Sequence, residues 1–290
     1  MRWLLVLAAS CRFEHGQALG TAPGDGALDD GALDDTRMID GSTTVDTDND
    51  GLVDAVDNCP TIANADQHDE DADLTGDSCD ACPQIANAVG DTDSDGLPNA
   101  CDPHPGRPGD MLVAFESFAV AGSLPPAWTA AVGNSSGWMV QGDALRGVAG
   151  ATQLIVVRDA GSARHAIDVG VELAAADATT QSFVTPVLDT SSDAQQFVAC
   201  GIRIDTDYRQ FLTFDHGTFA NYGTDSTETL AVPASYRITS VLDATSTCDT
   251  PASGPPYTLT HAHTSFGNTR VGLRILRVTA AFRYVAVYRF

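Results

Sequence analysis

The sequence predicts a mainly β protein: a C-terminal β-sandwich of the jelly-roll type, preceded by a segment with little regular secondary structure. Three observations lead there. Residues 111–290 alternate short runs rich in Val, Ile, Thr, Phe and Tyr with stretches of Gly, Pro, Asn, Asp and Ser. No long segment in this region keeps a helical period. Residues 46–103 repeat a motif of alternating aspartates, and its flanks are short and broken by Cys and Pro. At 290 residues the chain is long enough for more than one domain.

The first element, residues 1–11, reads MRWLLVLAASC: a basic Arg2, an apolar run from Trp3 to Ala9, and small residues before Cys11. It resembles a bacterial lipoprotein signal, with Ala8 where leucine is usual. The resemblance implies cleavage before Cys11, lipidation of that cysteine, and a membrane anchor at the cell envelope, outer membrane or cell surface; without lipidation the chain is secreted. Residues 12–45 contain few bulky apolar side chains and a direct duplication over 25–35, so little offsets the entropy of ordering them. They read as a disordered acidic tether that spans on the order of 30 Å.

The acidity is local. Residues 1–110 carry 24 acids and 4 arginines, whereas residues 111–290 carry 15 acids and 11 arginines. Nucleic acid is excluded as a partner by this balance, because binding it needs clustered basic charge. The absence of lysine from the whole chain has no functional account.

Residues 46–103 carry the chemistry. Asp46, Asp48, Asp50, Asp54 and Asp57 stand at positions 1, 3, 5, 9 and 12 of a twelve-residue window. Gly51 holds position 6, and Leu52 offers its carbonyl at position 7. Hard oxygens at alternating positions, with a glycine at the sharp turn, are the ligand spacing of an EF-hand-type calcium loop. Asp69, Asp71, Asp73, Asp77 and Asp80 repeat the register, with Leu74 in place of the turning glycine and Gly76 two residues later. Asp91, Asp93, Asp95, Asn99 and Asp102 repeat it again, with Gly96 at the turn and Leu97 after it. The carboxylate positions hold fourteen aspartates. Like charges a few Å apart repel by roughly 1 kcal/mol per pair even in water. The competing reading, a solvated acidic linker, does not account for the recurring register, the glycines or the interleaved cysteines.

The flanks DNCPTIANADQ and CDACPQIANAV stand where an EF-hand would have helices. With them, residues 46–103 resemble thrombospondin type 3 repeats. The resemblance implies a wire poor in helix and strand, organised on calcium ions, with the matching aspartates as ligands and with consecutive disulfides Cys59–Cys79 and Cys82–Cys101. A zinc site at Cys79 and Cys82 is the alternative, but it lacks a second CxxC and its surroundings favour a harder ion. Cys200 and Cys248 complete a disulfide or remain two buried thiols, with the disulfide favoured, and Cys11 is left over. Six paired cysteines place the chain in an oxidising compartment. Residues 104–110, His-Pro-Gly-Arg-Pro-Gly-Asp, read as a semi-rigid Pro/Gly linker.

In residues 111–290 the strand-like runs are 111–118, 153–157, 165–173, 197–204, 211–214, 236–242, 257–263, 270–276 and 282–290. Leu124-Pro125-Pro126-Ala127-Trp128, Trp138, Gly142-Asp143-Ala144-Leu145, Val271-Gly272-Leu273-Arg274 and the stretch Phe282–Tyr288 resemble the concanavalin A-like superfamily. That resemblance implies a sandwich and leaves the function open. Glycosidases of the superfamily display an ExDxxE strand, and Glu116, Glu172 and Glu228 do not form one. Asp205 with Asp207 share a strand face, His261 with His263 share another, and Asp215-His216 is an acid–base dipeptide; each reads more simply as solvated strand end or loop. Trp128 and Trp138 read as core packing before sugar stacking. The expectation is a non-enzymatic surface protein: a calcium-stiffened stalk presenting a sandwich that binds a glycan or another cell-surface protein in adhesion. An extracellular carbohydrate-active enzyme and a structural spacer are the alternatives.

Overall fold

The alternating runs become strands. The computed structural model describes residues 45–225, 230–244, 246–249, 258–261 and 265–290, and among these it contains fifteen strands and no α-helix. The leader, Cys11 and the tether up to residue 44 lie outside the described residues, as do Glu228 and His263. In chain order the strands are β1 (Met111–Glu116), β2 (Thr129–Val132), β3 (Trp138–Val140), β4 (Leu145–Val148) and β5 (Leu154–Asp159). Next come β6 (His165–Ala176), β7 (Phe183–Thr190), β8 (Gln196–Arg203), β9 (Tyr208–Asp215) and β10 (Thr218–Asp225). The last are β11 (Ala234–Leu242), β12 (Ser246–Asp249), β13 (Thr258–His261), β14 (Arg270–Leu276) and β15 (Val278–Arg289).

They form two antiparallel sheets. The first runs β13-β12-β11-β6-β15-β4-β3, with β1 also paired to β15; the second runs β10-β9-β8-β7-β14-β5-β2. The twelve-residue β15 holds two strands along one edge, because β4 takes Thr279–Phe282 and β1 takes Val285–Arg289. Between the sheets, Leu145, Ile167, Val169, Ile238 and Phe282 pack with Val156, Leu188, Val198, Phe211 and Leu273. Trp138 is 2% exposed and lies 6.1 Å from the Phe282 ring. It also explains Gly147, where a Cβ would come within 2.8 Å of the indole and 2.4 Å of Ile275. The Cys200–Cys248 disulfide joins β8 of one sheet to β12 of the other across 48 positions. Closing such a loop is worth about 4 kcal/mol in the chain-entropy account.

Residues 46–103 contain neither helix nor strand, and the part from Cys82 to Cys101 packs against the sandwich. Thr43–Phe290 form one compact unit. Cys82, Leu97 and Cys101, with Ile85 and Ala88, pack on Ala166, Val241, Ala286 and Tyr288 on the outer face of the first sheet. That is why β6 and β15 are buried on both faces. The Cys82–Cys101 part of the segment expected to be a stalk is a cover, because its disulfide and scattered apolar side chains match an apolar sheet face. Residues 104–110 turn the chain back towards β1. There the His104 ring sits 4.4 Å from Phe290, and Arg107 donates to Asp243 at 2.7 Å.

One buried titratable group sets a pH limit on this fold. His165 opens β6 and is 0% exposed. Its Nε2 accepts from the Asp189 amide at 3.0 Å, so the proton sits on Nδ1, which faces the Ser162 carbonyl at 2.7 Å. The Nε2 contact requires neutral imidazole, and burial, outweighing the Ser162 hydrogen bond that favours the charged form, pushes its pKa below the ordinary 6.5. The unfolded chain therefore binds more protons here, so this contribution is complete above pH 6.5 and is lost as pH falls. With calcium held saturating, unfolding stability is expected to drop by up to about 1.4 kcal/mol per pH unit below that point. His165→Gln should flatten the slope in urea titrations at pH 7, 6 and 5; an unchanged slope would remove His165 from the account.

Candidate metal centre

Each acidic loop is built by the same hydrogen bonds. The position-1 carboxylate folds the turn by accepting from the position-6 amide: Gly51 to Asp46 at 3.1 Å, Leu74 to Asp69 at 2.9 Å and Gly96 to Asp91 at 3.0 Å. The position-5 carboxylate accepts from position 7, as Leu52 to Asp50, Thr75 to Asp73 and Leu97 to Asp95, at 2.8–3.0 Å. The turning residues Gly51 and Gly96 have φ of 102° and 100°. Leu74 takes φ 80° in the same place despite its side chain, so the second loop keeps its geometry with a strained residue. Gly76 has a separate role, since a Cβ there would lie 2.3 Å from Asn58 Oδ1.

This scaffold gathers the carboxylates at positions 1, 3 and 5. Within each of the groups Asp46/Asp48/Asp50, Asp69/Asp71/Asp73 and Asp91/Asp93/Asp95, one oxygen per residue lies within 4.8 Å of the others. Position 3 is the notable member. Asp48 Oδ2, Asp71 Oδ2 and both oxygens of Asp93 are buried without a hydrogen-bond partner. At position 12, Asp80 Oδ2 and Asp102 Oδ2 are also orphaned, while the other oxygen of each accepts from the amide two residues on. Asp57 makes the equivalent bond to the Cys59 amide at 2.7 Å. Burial, then the adjacent Asp73 charge, pushes the Asp71 carboxyl up to about 6. Burial and Asp110 likewise raise Asp102.

Position 9 is placed differently. Asp54 accepts from the Thr47 amide and hydroxyl, Asp77 from the Glu70 amide, and Asn99 from the Thr92 amide, each at 2.8–2.9 Å. These side chains lock position 9 to position 2 and stand outside the position-1, -3 and -5 groups. The Cys59–Cys79 and Cys82–Cys101 disulfides staple successive units, which leaves no thiolate at Cys79 or Cys82 for zinc.

A polar network completes the seat of the repeats on the sandwich. Gln84 Nε2 donates to Tyr288 Oη at 2.8 Å and to Asp168 at 3.1 Å, and Arg283 reaches Glu70 at 3.5 Å. No sequence signal marks Gln84, because a single amide between cysteine-rich turns has no pattern.

The other candidate residues are placed as follows. Asp205 and Asp207 lie in the turn between β8 and β9 and not on a strand face, because the chain reverses at Ile204–Asp207. Asp205 holds Arg203 through two bonds of 2.8 Å, and Asp207 accepts from the Leu230 amide. Asp215 and His216 sit exposed at the β9–β10 hairpin. Glu116 pairs with Arg158, and Glu172 with Arg283. Trp128 and Trp138 are 4% and 2% exposed, which makes them packing residues.

No curated protein sequence is similar to this chain. Among solved structures, a carbohydrate-binding module from Bacillus subtilis is similar at 16% identity, covering 54% of this chain and 91% of that one, with a TM-score of 0.43. A xylan β-1,4-xylosidase from Bacillus halodurans is similar at 15% identity over 65% of this chain, with a TM-score of 0.49; the match spans 41% of the xylosidase. The exoplasmic/lumenal domain of VIP36, in a Ca2+/Man3GlcNAc-bound form, is similar at 6% identity over 57% of this chain and 84% of that one, with a TM-score of 0.45. None is similar enough to speak for a ligand of this chain. Residues 44–67 and 67–89, which hold the first two acidic loops, match the thrombospondin type 3 repeat family.

Proposed function

We propose that this chain is an exported calcium-binding protein whose acidic loops fold around calcium and hold a disulfide-stapled cover on a β-sandwich that binds a glycan or another surface protein. The observation that carries the calcium reading is the recurrence of buried, unpartnered carboxylate oxygens at position 3 of all three loops. Three carboxylates within 4.8 Å are mutually repulsive unless a cation lies among them. An all-oxygen donor set with carboxylates suits a hard ion that takes six to eight oxygens. The disulfides fit an oxidising, extracellular compartment. Lipidation at Cys11 would then hold the protein at the envelope or cell surface.

For the sandwich we favour binding over catalysis, because Asp205, Glu116 and Glu172 are each committed to an arginine. Passing polysaccharides over the immobilised chain separates the readings: retention without product supports binding, and released sugar makes it an enzyme. For calcium, native mass spectrometry of the disulfide-intact chain should show at least one ion for each of the three loops. Asp50→Ala should weaken the first loop, and Asp66→Ala, exposed and outside the groups, should not. No bound ion at millimolar calcium overturns the reading.

A further inference from the structure

We propose that Asp110, the residue that leads into β1, completes a further calcium site with Asp95 and Asp102, so that one ion is held jointly by the last acidic loop and the sandwich. The inference rests on the calcium reading above and adds a ligand from outside the repeats.

One carboxylate oxygen from each of Asp95, Asp102 and Asp110 lies within 4.8 Å of the others. Asp102 and Asp110 are 8% and 4% exposed, and the Asp110 side chain is 1% exposed. Each spends one oxygen on the same residue: Asp102 Oδ1 accepts from the His104 amide, and Asp110 Oδ2 meets His104 Nδ1, both at 2.7 Å. The second oxygens, Asp102 Oδ2 and Asp110 Oδ1, are buried with no partner. Asp95 joins the two sides, because its Oδ1 accepts from Leu97 and its Oδ2 from the amides of Gly109 and Asp110.

The sequence carries an independent sign. Asp50 and Asp73 accept in the same way from Asn64 and Asn87, fourteen residues on. The residues that follow are Ala65 and Ala88, whereas the residue after Gly109 is Asp110. A carboxylate thus replaces alanine only in the last unit, the one that leads directly into β1. The nearby Arg107 and Arg164 are committed to Asp243, so they do not neutralise the cluster. A cavity of 640 Å³ lined by Asp95, Asp110 and residues of β1 gives an ion access and room for water ligands. Because β1 pairs only with β15 among the described residues, such an ion would pin the free end of an edge strand to the repeats.

The test uses the full chain with its disulfides intact. At saturating calcium, Asp110→Asn should carry one ion fewer than the wild type by native mass spectrometry. Asp66→Asn, which removes a carboxylate from the same cavity but not from the cluster, should carry the same number as the wild type. In the wild type alone, added calcium should slow hydrogen exchange over residues 110–116 as well as over the loops, so the outcome does not depend on the variant folding. A wild type that binds no calcium overturns the underlying reading. A wild type that binds calcium, with an unaltered count in Asp110→Asn or protection confined to residues 46–102, overturns this inference alone.

Discussion

Chelating calcium from the folded chain will uncover the outer face of the first sheet while the interior between the sheets stays packed. The repeat segment has no helix or strand of its own among the described residues, and its disulfides close only local loops. Without cations, the clustered aspartates repel one another and the loops open. The apolar contacts of Leu97 and the Cys82–Cys101 disulfide with Ala166, Ala286 and Tyr288 then lose the backbone that positions them. The inner core has its own contacts and its own staple at Cys200–Cys248, so it does not depend on those ions. At free calcium about a hundredfold above the dissociation constant, each ion contributes about 2.7 kcal/mol to the closed form. Removing one is thus near a hundredfold in the opening equilibrium, and removing several compounds it. Amide exchange over residues 46–103 should accelerate accordingly, and a hydrophobic dye should bind, both reversibly on restoring calcium. Unchanged exchange and no dye binding in chelator would mean that the cover is held by packing alone.

The residues that make the loops were legible because metal-loop geometry demands particular side chains at short, fixed spacings. The carboxylates at positions 1, 3 and 5 converge as the spacing predicts. Position 9 was read as part of the ligand set, and the structure turns it instead to the position-2 amide, a distinction that spacing does not carry. Asp110 was invisible because its place depends on where the chain goes after the third loop. Among the strands, β7 was missed because Pro186 interrupts the run Phe183–Thr190. The structure accommodates it where the ladder to β8 lapses between Val184 and Val187. Gly201 lies opposite, where a Cβ would sit 2.4 Å from the Val184 carbonyl oxygen. The covering role of the repeats was hidden for another reason. Ile85, Ala88 and Leu97 occur singly in an acidic segment, and no period marks them as one buried face.

Arg237→Leu is expected to cost more than any exposed substitution on the first sheet, about 3–5 kcal/mol, because it strands a buried carboxylate. Asp168 lies on β6 facing the repeats and is 1% exposed. Arg237 Nε donates to both its oxygens at 3.0–3.1 Å and Nη2 donates to Oδ2 at 2.6 Å. Tyr284 Oη adds a longer bond at 3.3 Å, and burial, then the Asp168 charge, keeps that hydroxyl protonated well above its ordinary pKa. The pair is asymmetric, since the Arg237 side chain is 36% exposed and that of Asp168 is 2% exposed. Asp168→Leu leaves a guanidinium that water can reach, so it should cost less than Arg237→Leu, and the double variant should recover part of the loss. Gln84→Ala removes only the bond from the cover and should cost about 0.5–1.5 kcal/mol. Because Gln84 acts through the seated cover, its effect should vanish in chelator while that of Arg237→Leu persists. Urea titrations of the four variants with and without calcium decide this. A larger loss in Asp168→Leu than in Arg237→Leu, or a Gln84 effect indifferent to calcium, would place the stabilisation elsewhere than in a buried carboxylate held between sheet and cover.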